Sequence, residues 1–269
     1  MSNMPANFSK NIKSAKIPNC IYFSTNYIDP LNTLKIDKIA FKTQLNKQVP
    51  DLNYKGILVL DWENEIFDTL REGKPNTQIW DEGVSNFIEA IKYAKKLRPK
   101  AQWGYWNIPL AIYFVKLDTL WSKRIDATEK LIQECDILMP SLYDVYPTGA
   151  VSWQDDTAFI KQNLLKTLAI ASKYDKPVLP FVWHRYSDAV KESGLTSIEP
   201  KEFANQLALM KSVSYKGKKI NGVIWWQEDL YFINVKSANI MKEMKGRSNE
   251  RYRDDVLSQY FRILKKLFK

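Results

Sequence analysis

Six short apolar runs recur along the chain, at Cys20 to Thr25, Gly56 to Asp61, Gln102 to Trp106, Ile137 to Leu142, Pro177 to Trp183 and Gly222 to Trp226. Continuous apolar runs of this length suit parallel strands covered on both faces. Their starts lie roughly 35 to 45 residues apart, and the intervals carry helical spacing. Val84, Phe87, Ile88, Ile91 and Ala94 make one apolar helical face that Arg98-Pro99 must end, because proline cannot continue a helix. Helices are also expected over Thr128 to Glu134, Asp156 to Lys173 and Pro200 to Val213. Such a β-then-α rhythm leaves a barrel or a doubly wound sheet. No Gly-x-Gly-x-x-Gly and no Gly-x-x-x-x-Gly-Lys-Ser/Thr follows any run, which removes the usual reason to prefer a nucleotide-binding open sheet. The expectation is a (β/α) barrel, and 269 residues suit a single domain over 1–269. Residues 1–16 are polar and read as flexible, whereas 251–269 have the apolar spacing of a terminal helix.

A barrel builds its site where strands end, and the unusual residues of this chain lie there. Gly56-Ile-Leu-Val-Leu-Asp-Trp-Glu63 ends in two acids two residues apart. Alternation sends Asp61 and Glu63 to one face and Trp62 to the other. In a partly dry site two neighbouring carboxylates cannot both ionise freely, which is how a general acid arises. At a wetter strand end the same acids would be solvated partners of Lys or Arg. Other runs end in Trp106 and Asn107, Tyr143 and Tyr146, Trp183 and Tyr186, and Trp226 with Gln227, Glu228 and Asp229. Aromatic faces beside precisely placed polar groups suit a sugar ring. Trp103, Trp121 and Trp153, which nothing places beside the acids, read as packing residues.

Composition narrows the partners. The net charge of +10 would attract a polyanion, and no helix-turn-helix, RNP or zinc-finger pattern directs it to nucleic acid. No apolar run approaches the roughly 20 residues that span a bilayer. Cys20 and Cys135 read as buried thiols, with one disulfide as the alternative. A lone His184 makes a His/Cys metal centre improbable and would have to serve as base in any Ser-His-Asp scheme.

The motifs resemble those of the hyaluronidases, glycoside hydrolases of animals and venoms. The acidic motif through Asn64 is one. Leu97-Arg-Pro-Lys-Ala-Gln-Trp-Gly-Tyr-Trp-Asn-Ile-Pro109, Met139-Pro-Ser-Leu-Tyr143, Pro177-Val-Leu-Pro-Phe-Val-Trp-His-Arg-Tyr186 and Gly222-Val-Ile-Trp-Trp226 are the others, in the family's order. The resemblance implies a distorted TIM-type barrel with fewer than eight strands and retaining endo-cleavage at N-acetylhexosaminidic bonds of hyaluronan or a chondroitin-like chain. It implies Glu63 as acid and then base, with the substrate's acetamido oxygen as nucleophile. Asp61, Tyr143 and Tyr186 would hold the acetamido group, and Trp226 would pack on the sugar, with Trp106, Asn107, Trp183 and Gln227 also lining the cleft. It implies no cofactor or metal, a polysaccharide partner, a monomer, and a secreted or lysosome-like compartment, although no signal peptide is visible. Where the family continues Trp-Arg-Pro, this chain has Asn64-Glu65-Ile66-Phe67, and the family's cysteine bridges are largely absent. A different N-acetylated glycan such as peptidoglycan, or a barrel that binds glycan without cutting it, are the rival expectations.

Overall fold

The computed structural model describes residues 4–114, 118–147, 149, 150 and 153–268, the side chains of 153–156 excepted. The chain order is α1 (Ala6–Ser14), β1 (Ile21–Ser24), α2 (Thr25–Ile28), α3 (Lys38–Gln48), β2 (Ile57–Asp61), α4 (Glu65–Glu72), α5 (Gln78–Leu97) and β3 (Gln102–Tyr105). There follow α6 (Trp121–Ala127), α7 (Glu129–Glu134), α8 (Trp153–Tyr174), β4 (Phe181–Trp183), α9 (Pro200–Ser212), β5 (Ile224–Trp226), α10 (Asp229–Asn234), α11 (Ala238–Met244) and α12 (Asn249–Leu267).

Strands β1, β2 and β3 form one parallel sheet in that order, and β4 pairs parallel with β5 in a second. The apolar run over 137–142 does not join a ladder as expected. It makes single parallel bridges, Leu138 with Val178 and Ser141 with Phe181, and an antiparallel one between Met139 and Ile108. Pro140 in the run, and Pro177 and Pro180 facing it, each lack the N–H that a continuous ladder requires. The run is nonetheless threaded between the sheets: the amide of Asp136 donates to Trp103 O, and those of Leu179 and Phe181 donate to Leu138 O and Pro140 O.

Register sorts the two faces. Val59, Ile137, Met139, Phe181 and Ile224 pack together as an inner core, flanked by Cys20, Ile57, Trp106, Tyr143 and Trp226. Alternate residues point outward against the helices, as where Trp62 stacks on Phe87 of α5 with centroids 5.0 Å apart. The long helix α5 ends at Leu97 as the proline dictates, and α8 and α9 fall on expected stretches. Trp103 and Trp121 are buried core residues, while the Trp153 side chain lies outside the described residues. Residues 6–14, read as flexible, form α1 instead, because Phe8 is fully buried against Phe261 of α12 and Trp225. Both cysteines are free thiols. No helix among the described residues is long and apolar enough to cross a membrane.

Candidate active site

Asp61 closes β2, and the chain leaves it through Trp62 and Glu63 into α4, whose first turn is capped by Asn64 Oδ1 accepting from the Phe67 amide at 3.0 Å. Thr25 pins that exit. Its hydroxyl donates to Glu63 O and accepts from the Glu63 amide, both at 2.9 Å, tying the acidic loop to the end of β1. Thr25 carries no sequence signature and was not expected here.

The two acids differ in environment. Burial, and then the charge of Glu63, push the Asp61 carboxyl from an ordinary 3.8 up to about 7. Glu63 stands open at the mouth. Its shielding raises its pKa, Arg71 opposes that shift, and Asp68 and Asp188 reinforce it. Arg71 itself is engaged by Asp68 and Glu72. Asp61 is thus the better proton holder and Glu63 the better placed to exchange with solvent.

Because the folded pKa of Asp61 exceeds its unfolded value, the folded state binds the extra proton between about pH 4 and pH 7, and stability falls as pH rises through that window. We expect Asp61→Asn to flatten this dependence and to raise the melting temperature near neutrality. Thermal melts across pH check this, and identical slopes in the two proteins would remove the basis for a protonated Asp61.

Around the acids stands an aromatic wall. Tyr143 stacks on Trp226 with centroids 5.7 Å apart and a 21° interplanar angle, and it also meets Trp183 at 5.7 Å and Trp106 at 6.3 Å. Trp183 meets Trp226 edge-on at 4.6 Å. Burial holds the Tyr143 hydroxyl well above its ordinary pKa, a hydrogen bond with Trp106 opposes this, and the charges of Asp61 and Glu63 add to it. Asp61, Glu63, Tyr143, Trp106, Trp183 and Trp226 therefore come together. Gln227, the residue after Trp226, has a buried Oε1 with no partner among the described residues.

Two expected site residues have their polar atoms engaged within the fold. Tyr186 is buried in the main core, where its hydroxyl meets Glu202 of α9 at 3.1 Å. Asn107 is buried at a positive φ of 53°, and its Oδ1 accepts from the Ala111 and Ser141 amides at 2.9 and 3.1 Å. It braces the turn after β3 against the 137–142 run. His184 is likewise structural. The Trp225 indole N–H can only donate, so His184 Nδ1 must accept it, and Nε2–H faces Asp229 at 3.2 Å. Burial lowers the His184 pKa against the pull of Asp229, leaving a neutral ring. No group of three or more His, Cys, Asp or Glu side chains is arranged to hold a metal among the described residues.

Against known proteins, no family model matches the chain. A hyaluronidase of Tabanus yao is 26% identical over 247 residues, covering 78% of this chain and 67% of its own. The chain superposes on crystalline bee venom hyaluronidase with a TM-score of 0.65, covering 93% of this chain and 98% of the other at 18% identity. The chain is hyaluronidase-like. Bee venom hyaluronidase in complex with a hyaluronic acid tetramer matches with a TM-score of 0.63. A chondroitin hydrolase of Caenorhabditis elegans is 30% identical over 49% of this chain and 37% of its own length. The chain thus spans between about a third and two thirds of these curated relatives. The solved hyaluronidases have its α/β fold over nearly its whole length.

Proposed function

We propose that this hyaluronidase-like protein is a retaining endo-β-N-acetylhexosaminidase acting on hyaluronan or a chondroitin-like glycosaminoglycan. One observation carries the reading: a proton-holding Asp61 and an open Glu63 face a continuous wall of Tyr143, Trp226, Trp183 and Trp106. In this reading the two parallel sheets and the run between them make a distorted (β/α) barrel of fewer than eight strands, in one domain.

The chemistry follows from the positions. Glu63 gives its proton to the leaving glycosidic oxygen as the substrate's acetamido oxygen attacks the anomeric carbon. The resulting carboxylate then removes a proton from water as water opens the cyclic intermediate. Asp61 sits deeper and orients the acetamido group, its carboxyl oxygen accepting the acetamido N–H. The Tyr143 hydroxyl, held protonated, donates to the acetamido side. Trp226 offers a face to the sugar ring. Glu63 must be protonated to begin the cycle, so activity should be greatest under mildly acidic conditions.

Incubation with hyaluronan, chondroitin and chitin oligomers tests the proposal. Saturated reducing ends from either of the first two support it, and products from none of the three would sink it. Within an active enzyme, Tyr143→Phe should cost about 1 to 3 kcal/mol of transition-state stabilisation through one lost hydrogen bond. Trp226→Ala should weaken substrate binding as well as turnover. Separate kcat and KM measurements distinguish the two, and a Trp226→Ala enzyme with unchanged KM would remove that residue from the sugar-binding wall.

A further inference from the structure

The strands all begin at one pole of the molecule, opposite the pole where Asp61 and Glu63 stand. Both ladders are parallel, and the 137–142 run ties them together through parallel bridges to Val178 and Phe181 and through the Asp136 amide on Trp103 O. At this starting pole the chain enters β1, β2, β3 and β5 through exposed lysines, Lys16, Lys55, Lys100 and Lys219. Only the lysine before β4 is turned inward, where Lys176 donates to Gln133 O and Cys135 O. Helix α9 leads into β5 and so ends at the same pole, and Lys211 of its last turn donates to Leu267 O at 2.5 Å. That bond brings the end of α12, with exposed Lys265 and Lys266, to the same face. The acids there are already engaged. Asp136 is held by Lys95 at 2.7 Å and Asp175 by Lys218 at 3.1 Å, while Asp51 accepts the Asn53 amide at 2.8 Å. Lys16, Lys55, Lys100, Lys219, Lys265 and Lys266 form no ion pair among the described residues. Two apolar side chains stand among them. The Tyr54 amide donates to Asp51 O, and Tyr54 folds back over Gly56 so closely that a Cβ there would overlap its phenol, which leaves Leu52 at the tip of the turn, 64% exposed. Ile17, 42% exposed, stands at the entry to β1, the neighbour of β2.

We propose that this pole docks on an anionic lipid surface, with the cleft directed away from the bilayer. The lysines supply attraction to acidic headgroups, and their long apolar stems let the ammonium groups reach the headgroup level. Leu52 and Ile17 supply the second element. An acidic polysaccharide would answer the lysines but leave both apolar side chains in water, whereas the boundary between headgroups and acyl chains takes charge and apolar surface together. The contact is peripheral, since no helix among the described residues is long and apolar enough to span the bilayer. It is independent of the glycosidase reading, because none of these residues lies at the mouth.

The test is co-sedimentation of the full chain with vesicles of phosphatidylcholine alone and of phosphatidylcholine mixed with phosphatidylserine. Binding is expected to the mixed vesicles only, and to weaken as salt rises from about 0.1 to 1 M, which shortens the screening length from about 10 to 3 Å. Exchanging Lys16, Lys55, Lys100 and Lys219 together for Gln should weaken it by about 100-fold or more, at about fivefold for each charge near the surface. Leu52→Ser should weaken it by about tenfold and leave the salt dependence in place. If the fourfold variant does not fold, Leu52→Ser and the salt series decide, since the Leu52 side chain is exposed and its loss leaves the core intact. No binding to mixed vesicles, equal binding to both kinds, or unchanged affinity in Leu52→Ser overturns the proposal. Retention on immobilised heparin that the four lysines control, without vesicle binding, would make this pole a polysaccharide-binding face instead and overturns it too.

Discussion

Glu63→Gln is expected to lower turnover by about 10²-fold or more while leaving affinity for a long substrate little changed. The amide matches the carboxyl in shape and keeps the loop that Thr25 holds through the Glu63 backbone, so the wall of aromatics stays in place. What is lost is the transferable proton, which matters only as the glycosidic bond breaks. Asp61 cannot substitute. Its pKa of about 7 lets it hold a proton, but it lies at the strand end behind Glu63 and is the less exposed of the two. Single-turnover measurements and direct binding of the inactive variant to the best substrate check both halves. Wild-type turnover in Glu63→Gln would remove the acid from the mechanism, whatever the fold.

The strands and the acid pair were legible because both depend on local pattern. Apolar runs announce buried parallel strands, and period-two alternation put Asp61 and Glu63 on the face opposite Trp62. Tyr186 lies beyond the end of β4, where alternation no longer applies, and the structure shows its hydroxyl engaged by Glu202. Asn107 shows what local pattern cannot see: a polar residue after a strand looks like a ligand contact, and in the structure the amides of Ala111 and Ser141 occupy its oxygen. Thr25 was not expected beside Glu63 because what brings them together is the pairing of strands far apart in sequence. The 137–142 run failed as a ladder strand through Pro140, a residue visible in the sequence but outweighed there by the apolar pattern.

The second large effect concerns stability, in the buried network just after β5. Asp229 is fully buried and receives Arg185 Nε at 2.7 Å and His184 Nε2 at 3.2 Å. Arg185, also fully buried, donates further to Leu195 O, Glu243 and the Tyr252 hydroxyl, joining the segment after β4 to α11 and α12. Burial alone would raise the Asp229 carboxyl, but His184 and Arg185 outweigh it and hold the group well below the usual carboxylate range. Its contribution is therefore present above the unfolded-state pKa and is lost as pH falls through the folded one, opposite in sign to that of Asp61. Asp229→Ala leaves a guanidinium in a dry site with only Glu243 to balance it, and should cost about 3 to 5 kcal/mol in urea unfolding near neutral pH. A loss below about 1 kcal/mol would mean that Glu243 alone satisfies Arg185, and that this network positions helices without holding them.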